Sequence, residues 1–108
     1  MESVVKPNLV DTYLSSGERW YDVNINVVYD GKMYRWEQLN IPINSFNYSG
    51  VVDILITHKY PNDKMQAVIN NYLLDSTDSV ALREFNEMQE WRKQAKELAK
   101  EILTYELH

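Results

Sequence analysis

The chain has 108 residues, of which 44% are hydrophobic and 25% charged, a composition typical of one globular domain with a single core. Its net charge of −5 disfavours binding to nucleic acid, because affinity for a phosphate backbone depends on clustered Lys and Arg. The absence of cysteine excludes disulfide scaffolds and thiolate metal sites, and without a bilayer-length apolar run or a signal-peptide pattern we expect a cytoplasmic protein with no membrane partner.

The first predicted element is a short helix over residues 8–16. Asn8 can cap it, Asp11 stands at the capping-box position, and Gly17 would end it. Four apolar residues between them recur at helical spacing: Leu9, Val10, Tyr13 and Leu14.

A β-hairpin is predicted over residues 20–38. Apolar and polar residues alternate from Tyr21 to Tyr29, and Asp30-Gly31 is typical of a two-residue turn that would pair Tyr29 with Lys32. The residues expected to face the core are Val23, Ile25, Val27, Tyr34 and Trp36. Those expected to face water are Asn24, Asn26, Arg35 and Glu37, so the pattern predicts an antiparallel sheet with one solvated face.

The alternation changes phase after Gln38, and Pro42 cannot donate to a central ladder, so the strand must bulge, become an edge or end here. We therefore place a loop over residues 40–50. Its aromatic residues Phe46 and Tyr48 could contact a partner, or could fold back onto the core. A third strand is predicted over residues 51–58, where an apolar run has a single acidic interruption.

Two helices are predicted next, over residues 62–75 and 79–107. The second has about 28 residues and a length of roughly 42 Å at about 1.5 Å per residue. Its apolar stripe continues through Leu98, Ile102 and Tyr105, past the point that a chain of this size can readily cover. We therefore expect self-association through the C-terminal helix, with folding back inside one chain as the alternative.

The expected fold class is α+β, in a single domain over residues 1–108. It comprises a short N-terminal helix, a three-stranded antiparallel sheet with one face covered, and two C-terminal helices of which the last is long.

No residue set indicates catalysis, a cofactor or a metal ion. His58 has Asp53 and Asp63 five residues away on either side, but an extended segment would turn Asp53 and His58 to opposite faces, and no nucleophile stands beside them. Asp22 and Glu37 are candidates for paired carboxylates, yet neither has apolar surroundings in the sequence. The sequence leaves open whether the chain is an enzyme and favours a non-enzymatic role.

A basic ridge on the last helix is formed by Arg92, Lys96 and Lys100, which recur every four residues. It could meet phosphates or an acidic partner. Glutamates flank the ridge, and a solvated helix face of mixed charge is the favoured interpretation.

The stretch from Lys59 to Tyr72, followed by Glu84-Phe85, Trp91-Arg92 and Ala95-Lys96, resembles the end of short proteins encoded among the tail genes of bacteriophages and prophages. The resemblance covers the C-terminal half and implies a non-enzymatic virion or tail-assembly role, without functional residues to carry over. It favours a protein-interaction or assembly module. The alternative is a small ligand-binding or catalytic α+β domain with a pocket near His58.

Overall fold

The computed structural model of the chain describes residues 1–15 and 18–105. The strands are β1 (Glu2–Ser3), β2 (Val10–Ser15), β3 (Glu18–Tyr29) and β4 (Tyr34–Pro42), and the helices are α1 (Tyr48–Lys59), α2 (Asn62–Leu74) and α3 (Ser79–Thr104). A 3₁₀ turn, Ile43–Ser45, follows β4. The chain divides into two compact units, the sheet unit (Met1–Tyr48 with Glu101–His108) and the helical unit (Ser49–Lys100). The expectation of one domain over residues 1–108 stays a prediction.

The sheet is antiparallel and has four strands in the order β1-β4-β3-β2, so the prediction of three strands after an N-terminal helix is wrong. Residues 10–15 of the predicted helix form β2, and residue 16 and Gly17 lie outside the described residues. Leu9 accepts a backbone hydrogen bond from Asn24 on β3, at 2.9 Å, and Val10 pairs with Val23. Pairing with β3 satisfies backbone groups that a helix this short would hold only marginally on its own.

The turn between β3 and β4 contains four residues, 30–33, and pairs Tyr29 with Tyr34 rather than with Lys32. The Asp30 carboxylate accepts hydrogen bonds from the backbone N–H groups of Lys32 and Met33, at 3.0 and 2.9 Å. These two bonds, of which the one from Met33 has the larger effect, hold the pKa of Asp30 below its usual range. Gly31 adopts a φ of 96°, which glycine adopts without steric cost.

A β-bulge in β3 shifts the register of the hairpin, whereas β4 continues through Gln38 without a bulge. Ile25 pairs with Glu37 and Val28 with Arg35, so Asn26 and Val27 together oppose Trp36. Asn26 has a φ of 55°, in the left-handed region that asparagine tolerates better than most residues. Because of this extra residue, the side chains of β3 change faces beyond Ile25.

The buried face of the sheet carries Val10, Val23, Ile25, Leu39 and Ile41. The expectation that Val23 and Ile25 are buried is confirmed. Val27 is exposed, and Tyr34 and Trp36 are half-buried on the opposite face, so these three core assignments are wrong beyond the bulge.

Asn24, expected in water, is 3% exposed and belongs to a network of side-chain amides. Its Nδ2 donates to the Asn8 carbonyl at 2.7 Å, and its Oδ1 accepts from Gln38 at 3.0 Å. Because its amide nitrogen and its carbonyl oxygen are both hydrogen-bonded, Asn24 is accommodated in a buried position to which alternation alone did not assign it.

Residues 51–58 belong to α1, so the predicted third strand is wrong. Val51 and Leu55, four residues apart on one side of this helix, are both fully buried. A short apolar run without strict alternation fits a buried helix as well as a buried strand. The predicted loop 40–50 is also shorter, because Asn40 to Pro42 complete β4 and Tyr48 begins α1.

The helical unit has a core of Tyr60, Val68, Met88 and Trp91, with Met65, Ile69 and Phe85 packed against it. The helices expected over 62–75 and 79–107 are found as α2 and α3, and residue 107 lies outside the described residues. Within the described part of the chain, no helix has the length and apolarity needed to cross a bilayer.

Candidate functional site

One candidate site is a groove on the sheet face that carries Asn24. Among the described residues, it is lined by Trp20 and Asp22 on β3 and by Asn40 and Pro42 on β4, and we call it the sheet groove. Trp20 pairs with Pro42, and the next row on the same face pairs Asp22 with Asn40. The groove encloses about 380 Å³, within the range of small-molecule clefts, and it is open to solvent.

The floor of the sheet groove is polar. The Asn40 side-chain amide donates a hydrogen bond to Asp22 Oδ1, which ties the two strands together at the side chains. Asp11 on β2 lies directly opposite Asp22, and its own carboxylate accepts hydrogen bonds from the amides of Asn8 (3.1 Å) and Asn24 (3.4 Å). Amide donors, rather than cations, therefore satisfy the carboxylates described on this face.

The turn between α2 and α3 forms a second candidate site. Asp75 Oδ1 accepts hydrogen bonds from the Thr77 hydroxyl at 2.6 Å and from its N–H at 3.0 Å. Asp78 Oδ1 caps α3 by accepting from Val80 N (2.9 Å) and Ala81 N (3.0 Å). These bonds hold the turn in one conformation.

Four aliphatic side chains project from the two helix ends that flank this turn. Leu73 is 73% exposed, Leu74 88%, Val80 50% and Leu82 39%. We call these four residues the leucine tip. Single exposed apolar residues are ordinary, whereas four within one helix–turn–helix segment are typical of a contact surface.

The helical unit also contains a cavity of about 380 Å³ lined by Tyr60, Lys64, Ala67, Val68, Asn71, Glu84 and Glu87. The Lys64 ammonium lies 4.9 Å from the centre of the Tyr60 ring, as in a cation–π contact. Burial, followed by the charges of Glu87 and Glu84, raises the pKa of the Tyr60 hydroxyl. The phenol therefore stays protonated at neutral pH.

The two loop aromatics proposed as contacts differ in their surroundings. Phe46 stacks on Tyr21, with ring centroids 3.7 Å apart and planes 15° apart, so it folds back onto the sheet unit. Tyr48 begins α1 and is 44% exposed. Of the two, Tyr48 alone presents much of its ring to solvent.

The C-terminal stripe is largely covered. Ile102 is 1% exposed, and Leu98 and Tyr105 are half-buried. Self-association through these residues stays a prediction, but Ile102 is not on the surface of the described chain. In the basic ridge, Lys96 and Lys100 are exposed, whereas Arg92 is half-buried and its Nε has no hydrogen-bond partner among the described residues.

The candidate catalytic residues do not come together. His58 is exposed on α1 and lines neither the sheet groove nor the cavity of the helical unit. Asp22 and Glu37 lie on opposite faces of the sheet, since Asp22 pairs with Asn40 and Glu37 pairs with Ile25. Over the described ranges, no three carboxylate or imidazole side chains meet as a metal site would require.

Sequence reasoning missed both candidate sites. The signal for the sheet groove was the continued alternation of Gln38, Asn40 and Pro42 with Leu39 and Ile41, which extends β4 into the predicted loop. The signal for the leucine tip was a pair of leucines directly before a run of cap-forming residues. Comparison with known proteins finds no matching protein family, no matching curated protein and no matching solved structure.

Proposed function

We propose that this protein is a non-enzymatic interaction module that binds a second copy of itself through the leucine tip. The observation that carries the proposal is the exposure of Leu73 and Leu74, at 73% and 88%, at the C-terminal end of α2 beside an ordered turn. Leaving such side chains in water is unfavourable, and burying each fully contributes roughly 1.5–3 kcal/mol.

The order of the turn favours docking. Tyr72 stacks on Phe85 beside the tip, with ring centroids 4.1 Å apart, so α2 and α3 are held together immediately behind the leucines. The Asp75 and Asp78 carboxylates accept hydrogen bonds from the connecting backbone and fix it. A surface that is already ordered loses little conformational entropy on binding, so more of the burial energy appears as affinity.

A second copy is the partner that suits this surface. The tip is aliphatic and needs no complementary chemistry, so a two-fold axis would place the exposed leucines of two copies against each other. Association costs about 4–15 kcal/mol, which is comparable with the free energy that partial burial of a few aliphatic side chains on each copy provides. Each copy also carries a net charge of −5. We therefore expect a weak dimer that strengthens as salt screens the repulsion.

The proposal is tested by sedimentation equilibrium of the full chain from the micromolar to the millimolar range, at low and at moderate salt. Wild-type protein should shift from monomer to dimer with concentration. Leu73→Gln combined with Leu74→Gln should remain monomeric throughout, because it removes the apolar contact without changing the net charge. Both leucines are exposed, so the far-ultraviolet circular dichroism should not change.

The matched control is Val4→Gln combined with Val5→Gln. These two valines are also adjacent and exposed, at 72% and 68%, but they belong to the sheet unit. The control should dimerise like the wild type. A wild type that is monomeric at every concentration overturns the proposal, and so does a dimer that survives the double leucine substitution.

The setting of this function is also a proposal. The resemblance of the C-terminal half to short phage and prophage tail-gene proteins supports a role in virion or tail assembly, and the absence of cysteine favours the cytoplasm. The C-terminal stripe is a weaker choice of contact than the leucine tip, because a partner could reach Ile102 only after this side chain left its buried position.

A further inference from the structure

We infer that the sheet groove binds the ring of an uncharged sugar. This site is separate from the leucine tip, and the inference does not depend on self-association. It rests on the arrangement of two rows of side chains, Trp20 with Pro42 and Asp22 with Asn40, on one face of adjacent strands.

The first row supplies apolar walls. An indole and a pyrrolidine ring stand directly opposite each other across β3 and β4. Sugar rings have C–H groups on their faces that pack against flat apolar surfaces, and an indole offers a large rigid area at little cost in conformational entropy. The volume of about 380 Å³ leaves room for such a ring.

The second row supplies hydrogen bonds of both kinds. The Asn40 amide uses one N–H to bind Asp22 Oδ1, which leaves its second N–H, its carbonyl oxygen and Asp22 Oδ2 without partners among the described residues. A hydroxyl group donates and accepts, so neighbouring hydroxyls of a sugar can use all three atoms. A cationic ligand would use only the acceptors, and the Asn40 donor therefore favours a sugar.

The groove is also preorganised. Directly beyond the second row, Gln38 donates to Asn24 at 3.0 Å, and Asn24 donates to the Asn8 carbonyl at 2.7 Å. This buried network fixes the strands that carry the binding residues, and a rigid support raises affinity by lowering the ordering cost. Rows two residues apart on one strand are separated by roughly 7 Å, a spacing that suits a ring on one row and its hydroxyls on the next.

The inference is tested by titrating ¹⁵N-labelled protein with the methyl glycosides of glucose, galactose and mannose. Glycerol and tetramethylammonium serve as comparison ligands for a small polyol and for a cation. At least one glycoside should shift the Trp20 indole N–H and the Asn40 amide signals in a saturable manner. Equal shifts with glycerol, stronger binding of tetramethylammonium, or no saturable shift with any glycoside would overturn the inference.

Two variants locate the site. Asn40→Ala, at an exposed position, removes the donor and one acceptor and should weaken binding about tenfold, as expected for the loss of roughly 1.4 kcal/mol. Trp20→Ala should abolish detectable binding. Asn44→Ala, which changes an exposed asparagine outside the groove, should bind like the wild type. Unchanged affinity in Asn40→Ala, with its spectrum otherwise preserved, would overturn the assignment even if Trp20→Ala failed to fold.

Discussion

The indole N–H of Trp91 donates a hydrogen bond to the backbone carbonyl of Leu55 at 3.0 Å, which joins α1 to α3 inside the helical unit. The indole N–H of Trp36 is buried as well, but it has no acceptor among the described residues. Replacing either tryptophan by phenylalanine removes the same ring atoms, but Trp91 is buried in the core and Trp36 is half-buried. The difference between the two replacements therefore contains a packing contribution in addition to the hydrogen bond.

Trp91→Phe should destabilise the protein by roughly 1–3 kcal/mol more than Trp36→Phe does. The first removes a satisfied buried hydrogen bond, and the second removes a donor that was already unsatisfied. Urea unfolding of both variants, followed by circular dichroism, measures the difference. Equal losses of unfolding free energy would contradict the assignment of the Trp91 bond.

Asn24→Asp should destabilise the sheet unit by several kcal/mol. It places a buried carboxylate 3.4 Å from a carboxylate oxygen of Asp11 and removes the donor to the Asn8 carbonyl. Asn26→Asp is the matched control, because Asn26 also donates to a carboxylate, that of Glu37, but is exposed. The free energy of unfolding of Asn26→Asp should fall by less than about 1 kcal/mol. Similar thermal midpoints for both variants would show that Asn24 is not buried as described.

Asn26→Val should cost roughly 1–3 kcal/mol more than Asn26→Gly. Both substitutions remove the hydrogen bond to Glu37, so their difference isolates the backbone. A φ of 55° is free of strain for glycine and unfavourable for a β-branched residue. Chemical denaturation provides the comparison, and a valine variant as stable as the glycine variant would exclude the bulge.

Thr77→Ala should raise the pKa of Asp75. In the folded chain the Thr77 hydroxyl and then the Thr77 N–H donate to the Asp75 carboxylate and hold its pKa below the usual range of an aspartate. Because the pKa of Asp75 is lower in the folded chain than in the unfolded chain, the unfolded chain binds more protons. The contribution of the Asp75 hydrogen bonds to stability is therefore fully present above the unfolded pKa and is lost as pH falls through the folded pKa. Carbon-detected NMR of the Asp75 carboxyl measures the shift.

The same variant should show a shallower loss of stability on acidification than the wild type. Ser76→Ala removes a neighbouring hydroxyl for which no bond to Asp75 is described, and it should titrate like the wild type. If the Asp75 titration is identical in Thr77→Ala and wild-type protein, the hydroxyl contact is absent in solution.

The sequence predicted the helices that follow a proline or a run of cap-forming residues, and it did not resolve the ambiguous segments. Val51 and Leu55 stand in an apolar run whose periodicity fits either a helix or a strand. Val10 stands in a segment that contains helix-capping residues, but capping acts only on neighbouring backbone groups, and pairing with β3 outweighs it. Both outcomes are decided by tertiary contacts, which a propensity argument does not contain.

The candidate sites depend on register, which the sequence left undetermined. A single extra residue at Asn26 and Val27 moves every later side chain of β3 to the other face. With a two-residue turn, Trp20 and Pro42 could not have been placed opposite each other. The Asp30-Gly31 signal predicted the location of the turn correctly and its length incorrectly, since the Asp30 side chain closes a four-residue turn.

Pro42 also affects whether a strand from another chain can pair with the exposed edge of β4. Strand β1 pairs with Tyr34 and Arg35, and the later residues of β4 form a sheet edge that β1 does not cover. The backbone N–H and C=O of Trp36 are hydrogen-bonded to Met1 at this edge. Because backbone groups of successive residues point to alternate sides of a strand, those of Gln38, Asn40 and Pro42 face the same edge. A further strand paired with this edge would meet the pyrrolidine ring of Pro42 at a position where pairing requires an N–H donor. This edge of β4 therefore lacks one of the N–H donors that pairing with a further strand would use, which makes it a less favourable template for edge-to-edge association.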